Sequence, residues 1–313
     1  MPPPSGIHVM KSASNHLSPK KHPWHAFSKD GEDEFRFEKI HILRHGWGYG
    51  GNTAAISLYA AFQTVPADMM CASFQSQFIR PVDKPTVKVF VERCRESSAE
   101  VHRLVKLYCD GKLAYRMDCR FCKKHLNFTN IPQTPHKFPN VTPPESCQTS
   151  YEILKDYQSS GGDLSAVRNV TFADDQPQID HRLTNGVNGI TGYDEKKYSH
   201  TIWSRYKLEN HDMDRNFEEL VLTNLSDLGM CYASCLMFPK QSFNRVASLS
   251  LSVWFHCANF NANDFVLQKH DVIGHNHNRS LTSGQMWSRD GRLLATAIQE
   301  AIIEVNEDKK AKY

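Results

Sequence analysis

Ala247-Ser248-Leu249-Ser250-Leu251-Ser252-Val253-Trp254-Phe255-His256 alternates with the period of two that marks a β-strand. Gly291-Arg292-Leu293-Leu294-Ala295-Thr296-Ala297-Ile298-Gln299-Glu300 reads as a second strand, entered through an Asp290-Gly291 turn. Each stretch puts a polar residue where a buried face calls for an apolar one: Ser248 opens the first, and Gln299 sits near the middle of the second. A buried serine or glutamine costs roughly 1–3 kcal/mol unless it is hydrogen-bonded. Two of them on neighbouring strands point to a site rather than a core.

Around these strands the second half of the chain has a definite order. Residues 198–207 alternate about Trp203. A helical stretch over about 215–234 follows, with Leu220, Leu225, Leu228 and Cys231/Tyr232 at helical spacing. Strands over 246–256, 265–273, 279–288 and 292–304 complete it. The first half runs through the same order. A strand over 35–44 leads into His45-Gly46-Trp47-Gly48-Tyr49-Gly50-Gly51-Asn52 and then into an Ala-rich helix from Thr53 to Phe62. Strands over 71–80, 86–95, 99–109 and 112–122 follow, the last two joined by an Asp110-Gly111 hairpin turn. At an offset of about 175–180 residues, Ala72-Ser73-Phe74 faces Ala247-Ser248-Leu249, and Asp110-Gly111-Lys112-Leu113 faces Asp290-Gly291-Arg292-Leu293. One unit is used twice. It is a helix followed by an antiparallel sheet, so the class is α+β. The two sheets are expected to join edge to edge, because either alone exposes open strand edges. The expected organisation is a flexible polar arm over 1–33, units over 34–124 and 196–305, a connector of little regular structure over 125–195, and a polar tail over 306–313.

Composition narrows the function. The chain has 313 residues, 40% of them hydrophobic, and a net charge of +3. That balance is not a nucleic-acid signature and is compatible with an anionic small-molecule substrate. No apolar run approaches the roughly 18 residues of a membrane helix. Met1-Pro2-Pro3-Pro4-Ser5-Gly6 lacks the apolar stretch of a signal peptide. The nine cysteines are therefore expected to be reduced, in the cytoplasm. Ala311-Lys312-Tyr313 loosely resembles the peroxisomal Ser-Lys-Leu tail and departs from it at the last residue, so the peroxisome is the alternative. Cys119 and Cys122 form a lone C-x-x-C without the second pair that a zinc site needs, and His275-Asn276-His277 reads as a polar loop.

Gly46-x-Gly48-x-x-Gly51 fits the dinucleotide fingerprint, follows a strand, opens a helix, and has Asp68 17 residues on. The context does not fit. A dinucleotide fold needs a parallel strand after the helix and further strand–helix alternation, whereas four strands with hairpin-like spacing follow here. The glycines are expected instead to allow a tight turn and close approach of the helix to the sheet. Backbone N–H groups at the helix start could also hold an oxyanion.

These residues together resemble the acyl-CoA thioesterase II family, from about residue 35 to 304. In the first half the resemblance lies in Tyr49-Gly50-Gly51-Asn52, Leu58-Tyr59-Ala60-Ala61 and Phe74-x-x-x-Phe78-Ile79-Arg80-Pro81. In the second it lies in Trp203-Ser204-Arg205, Ser226-Asp227-Leu228, Val253-Trp254-Phe255-His256, and Asp290-Gly291-Arg292-Leu293 to Gln299-Glu300. The resemblance implies a double-hotdog fold, two repeats of a long helix wrapped by an antiparallel sheet. It also implies hydrolysis of acyl-CoA or a related acyl thioester. The family's catalytic trio falls on Asp227, Ser248 and Gln299: a base or water-orienting carboxylate and two groups that fix the water's direction. The turn Gly50-Gly51-Asn52 is the candidate for oxyanion stabilisation. No metal or redox cofactor is implied, since water, a base and oriented dipoles suffice. Acyl-CoA is the implied partner, and a homo-oligomer is compatible.

Taken singly, each member of the trio has a plainer role: Asp227 pairing with a basic side chain, Ser248 capping a strand, Gln299 bridging backbone groups. Their family register argues for the site. Two departures stand out. The family's Asp-His pair after the catalytic Thr/Ser is Ser250-Leu251 here, and Asn52 stands where Gln is common. The alternatives they motivate are a tailoring enzyme acting on a polyketide-like acyl substrate in a small-molecule pathway, and a non-catalytic acyl-CoA-binding protein.

Overall fold

A computed structural model describes residues 24, 27–43, 46–124, 136–163, 178–191, 199–207, 216–236, 238, 243–257 and 260–305. Most of the arm, part of the connector, and the tail with Ala311-Lys312-Tyr313 lie outside these residues. The first half contains β1 (Phe27–Lys29), β2 (Glu34–Phe37), α1 (Gly50–Phe62), β3 (Met69–Phe78), β4 (Val87–Glu96), β5 (Glu100–Cys109) and β6 (Lys112–Lys123). Between the halves lie α2 (Ser150–Ser159), β7 (Ile179–Leu183) and α3 (Asn188–Thr191). The second half contains β8 (Ser199–Tyr206), α4 (Phe217–Ser226), α5 (Met230–Cys235), β9 (Phe243–Phe255), β10 (Val266–Asn276), β11 (Arg279–Trp287) and β12 (Leu293–Val305).

The twelve strands among the described residues form one sheet, in the order β1-β2-β4-β5-β6-β3-β9-β12-β11-β10-β8-β7. Every pairing is antiparallel. The order reads the same from either end once each strand is exchanged for its counterpart. The fold is thus the α+β double hotdog: α1 lies on β4, β5 and β6, α4 and α5 lie on the second half-sheet, and α1 packs against α4. Among the described residues no dinucleotide fold surrounds Gly46–Gly51. Asp68 pairs instead with Lys123 at 3.6 Å on the neighbouring strand.

The halves join through β3 and β9. Ser73 pairs with Trp254, Gln75 with Ser252 and Gln77 with Ser250, a register symmetric about Gln75–Ser252 and equivalent to an offset of 177 residues. This corrects the alignment read from Ala-Ser similarity. Cys71, not Ser73, is the counterpart of Ser248: both strands bulge at the next residue, Ala72 in β3 and Leu249 in β9. A bulge adds one residue and moves the following side chains to the opposite face. Leu251, Val253 and Phe255 are buried on the face that meets the helices, and the bulge places Ser248 on that face too. Strict alternation puts it on the outer one. Ser248 also lies inside its strand rather than at its start.

Three further expectations are corrected. Strand 35–44 ends at Phe37, because Lys39 takes a left-handed φ of 60° that extended backbone cannot continue. The second helix is not continuous over 215–234. Gly229, at φ 85°, breaks it into α4 and α5, and a Cβ there would come within 2.9 Å of the His270 ring. The arm and the connector both contribute strands: β1 extends the sheet beyond β2, and β7 extends it beyond β8. Trp24, fully buried, packs on Tyr206 and Phe217 of the second half, while Phe27 packs on Phe37 and Tyr59 of the first. All nine cysteines are free thiols. Among the described residues no helix is long and apolar enough to cross a membrane.

The second half's inner layer is more polar than the first's. His200, Ser204, Gln268 and His270 are all buried there. Gln268 donates from Nε2 to Ser204 Oγ at 3.0 Å and turns its Oε1 to His270 Nε2 at 3.3 Å, so this ring is protonated at Nε2. Burial, followed by the nearby His181, lowers His200 to about 4, and burial, followed by the nearby His200, lowers His270 to about 3. The folded state therefore binds fewer protons than the unfolded one. These histidines leave stability intact above pH 6.5 and reduce it as the pH falls from there towards 4. The urea midpoint is expected to drop between pH 7 and pH 5, and to drop less in His270→Gln; a flat midpoint over that window would contradict neutral burial.

Candidate functional site

The helix break and the sheet joint meet at one carboxylate. Asp227 is the C-cap residue of α4, held there because Gly229 ends the helical run. Its Oδ2 accepts the Gly51 backbone N–H at 3.0 Å, in the first turn of α1. Its Oδ1 accepts the Ser248 hydroxyl of β9 at 3.1 Å and the Gln299 amide of β12. The same Gln299 amide nitrogen donates to Ser248 Oγ at 3.2 Å. The structure thus brings together all three residues of the expected trio. Gln299 is fully buried, whereas Asp227 and Ser248 keep part of their surface open.

Electrostatics explain the position. A carboxylate at the C-terminus of its own helix meets that helix's negative end, which is unfavourable. Here it also meets the N-terminus of α1, whose first N–H groups have no intrahelical acceptor. Burial pushes the Asp227 carboxyl above the ordinary aspartate value, and the hydrogen bonds from Gln299, Ser248 and Gly51 offset part of that rise. It is therefore a stronger base than a solvated aspartate.

Glycines make the approach possible. A Cβ on Gly51 would stand 2.1 Å from the Asn224 carbonyl oxygen, and one on Gly50 would stand 2.6 Å from Asp227 Oδ2. The close approach at Gly51 is thus of α1 to α4, and at Gly50 it is also to the sheet, where that Cβ would stand 3.0 Å from the Phe78 ring of β3. The candidate oxyanion turn also has other duties: the Gly51 N–H is taken by Asp227, and the buried Asn52 side chain accepts from Asn224 Nδ2 at 2.7 Å. Gly50, half-buried beside them, keeps its N–H free of any acceptor among the described residues.

Two residues here were not singled out from the sequence for a site role. Tyr49 lays its ring over Gly51 and donates its hydroxyl to the Asn224 carbonyl at 2.8 Å, satisfying one of the free carbonyls at the end of α4. Cys231, four residues after Asp227, donates to Gln299 Oε1 at 3.2 Å and touches Ser248 Oγ at 3.5 Å. The spacing was visible in the sequence, but a cysteine among nine carries no signal of its own. The Ser250-Leu251 departure is also placed. Leu251 is fully buried on the inner face, and Ser250, its neighbour, stands on the face away from Asp227 and pairs across the joint with Gln77. In the first half the counterparts of Ser248 and Gln299 are Cys71 and Cys119, both fully buried, with thiols raised well above the ordinary value by burial. The carboxylate, hydroxyl and amide thus come from the second repeat, and the first contributes the helix N-terminus.

Two helix-wrapping half-sheets joined edge to edge, with a desolvated carboxylate at the joint, have the form of the double-hotdog hydrolases. Residues 144–303 match the acyl-CoA thioesterase C-terminal domain, and residues 43–122 match the acyl-CoA thioesterase N-terminal domain. The chain belongs to the acyl-CoA thioesterase II family. It is 27% identical to acyl-coenzyme A thioesterase 8 of Mus musculus over 291 residues, covering 87% of this chain and 88% of the relative. It is also 27% identical to acyl-CoA thioesterase 2 of Haemophilus influenzae over 265 residues, covering 83% and 88%. The fold is similar to that of acyl-CoA thioesterase II TesB2 of Mycobacterium marinum, with a TM-score of 0.67 at 19% identity over 90% of this chain and 97% of that one. A hot dog fold protein from Alicyclobacillus acidocaldarius gives 0.69 at 19% identity, over 91% and 97%.

The packing at Gly51 is directly testable. Gly51→Ala drives a methyl group into backbone, and overpacking of this kind typically costs about 1–3 kcal/mol. A lower melting temperature by calorimetry is expected; an unchanged one would contradict the close α1–α4 approach.

Proposed function

We propose that the protein hydrolyses acyl-CoA or related acyl thioesters with a water activated at Asp227 and aligned by Ser248 and Gln299. The observation that carries this reading is the convergence of both side chains and a helix N-terminus on one desolvated carboxylate. Protons are fully assigned around it. Ser248 gives its only proton to Asp227, and Gln299 gives one amide proton to Asp227 and the other to Ser248. Asp227 Oδ2 accepts only Gly51 among the described residues, so one lone pair is left for a water's proton, and Ser248 Oγ has one left for its second. A water bound by both protons directs its own lone pair at the thioester carbonyl.

In the reaction the water oxygen bonds to the carbonyl carbon while its proton passes to Asp227. The Gly50 N–H, at the positive end of α1, faces the developing oxyanion. The tetrahedral centre then expels the CoA thiolate, and Asp227 returns the proton to that sulfur. The products are a carboxylic acid and free CoA, and Asp227 regains its charge. The nine free thiols fit a reducing compartment, cytoplasmic or peroxisomal.

Thiol release from acyl-CoAs of graded chain length tests the reading. Asp227→Asn is expected to lower kcat by at least about a hundredfold, the scale of a lost general base. Ser248→Ala and Gln299→Ala are expected to cost less, and the losses should not add, because the groups act as a unit. Thiol release by the wild type that is unaffected by Asp227→Asn would contradict the mechanism, and no release from any acyl-CoA would contradict the function.

Ser250→Asp restores the residue type common in the family. Because Ser250 faces away from Asp227, this variant is expected to hydrolyse the same substrates at an undiminished rate. A large loss would show that the outer face of β9 takes part in the site.

A further inference from the structure

We propose that Cys231 is a positioning residue of this site: its S–H holds the Oε1 end of Gln299 and thereby aims both amide protons at Asp227 and Ser248. The inference rests on the mechanism proposed above. The terminal torsion of a glutamine is broad and two-fold, so packing alone does not fix the amide plane. Hydrogen bonds at both ends do. Gln299 Nε2 is held by Asp227 Oδ1 and by Ser248 Oγ at 3.2 Å, and Oε1 is held by Cys231 Sγ at 3.2 Å.

Proton counting decides which way the thiol acts. Ser248 has spent its hydroxyl proton on Asp227 and cannot donate to sulfur. Cys231 has one proton and two oxygens in reach, Gln299 Oε1 at 3.2 Å and Ser248 Oγ at 3.5 Å; the amide oxygen is nearer and is the better acceptor. A nucleophilic role, in which the sulfur takes the acyl group from CoA, would need a thiolate. The surroundings oppose one: burial, followed by the nearby Asp227 charge, pushes the thiol above its ordinary value. The proton stays on sulfur, where it serves as a donor. The break at Gly229 sets this geometry, since α5 begins at Met230 and its second residue is Cys231.

Two substitutions separate a donor from a space-filler. Cys231→Val fills the volume without a donor, and Cys231→Ser keeps a donor in a smaller volume. If Cys231 positions Gln299, Cys231→Val lowers kcat about threefold to tenfold, the scale of one hydrogen bond, with KM little changed. Cys231→Ser loses less than Cys231→Val, and in a Gln299→Ala background Cys231→Val has no further effect. A packing role gives the reverse order, with valine at least as active as serine. That order, or an undiminished effect of Cys231→Val in the Gln299→Ala background, would overturn the proposal. Asp227→Asn run alongside keeps the two readings apart. If it abolishes hydrolysis while the Cys231 variants fail the test, only the role of Cys231 falls; if it leaves hydrolysis intact, the mechanism falls and the role of Cys231 falls with it.

Discussion

A single carboxylate sits where the C-terminus of one helix meets the N-terminus of another, and the rest of the site depends on that meeting. Asp227 ends α4 and receives the Gly51 N–H from α1. The favourable charge–dipole contact at an N-terminus contributes on the order of 0.3–2 kcal/mol, enough to offset the unfavourable end of the helix that carries Asp227. It also ties the two halves together at the point where chemistry is proposed. Gly50 and Gly51 are small because the carboxylate and the Asn224 carbonyl occupy the space a side chain would need. Tyr49 closes the other side.

The internal symmetry shows what a repeat keeps and what it discards. Strand order, bulges and the edge-to-edge joint are common to both halves. The side chains facing the helices are not. Where one half has Ser248 and Gln299, the other has Cys71 and Cys119, which are buried and kept protonated. The first half supplies a helix N-terminus, and the second supplies the base and its holders. Neither is complete alone, which gives a physical reason for the continuous sheet between them.

Much of this was legible in the sequence. Period-two runs located nearly all the strands of the repeats, and Asp110-Gly111 located the β5–β6 turn. The family register named Asp227, Ser248 and Gln299, which the fold brings together. What was not legible has specific causes. The extra residue at Leu249 shifts facing without leaving a compositional trace, so alternation alone misplaces Ser248. The helix break depends on Gly229 against His270, a contact made only in three dimensions. Phe27–Lys29 and Ile179–Leu183 are three- and five-residue edge strands, too short to show a period. The Gly46–Gly51 run pointed to N–H groups free for an oxyanion, yet the Gly51 N–H serves a carboxylate of the protein itself.

The account stands most directly on where a thioester binds relative to Asp227. A crystal structure of Asp227→Asn soaked with an intact acyl-CoA would show it. The account predicts the thioester carbonyl carbon about 3–3.5 Å from an ordered water that touches residue 227 and Ser248, with the carbonyl oxygen turned towards the start of α1. A thioester bound elsewhere, for instance beside Cys71 and Cys119 in the first half, would contradict it.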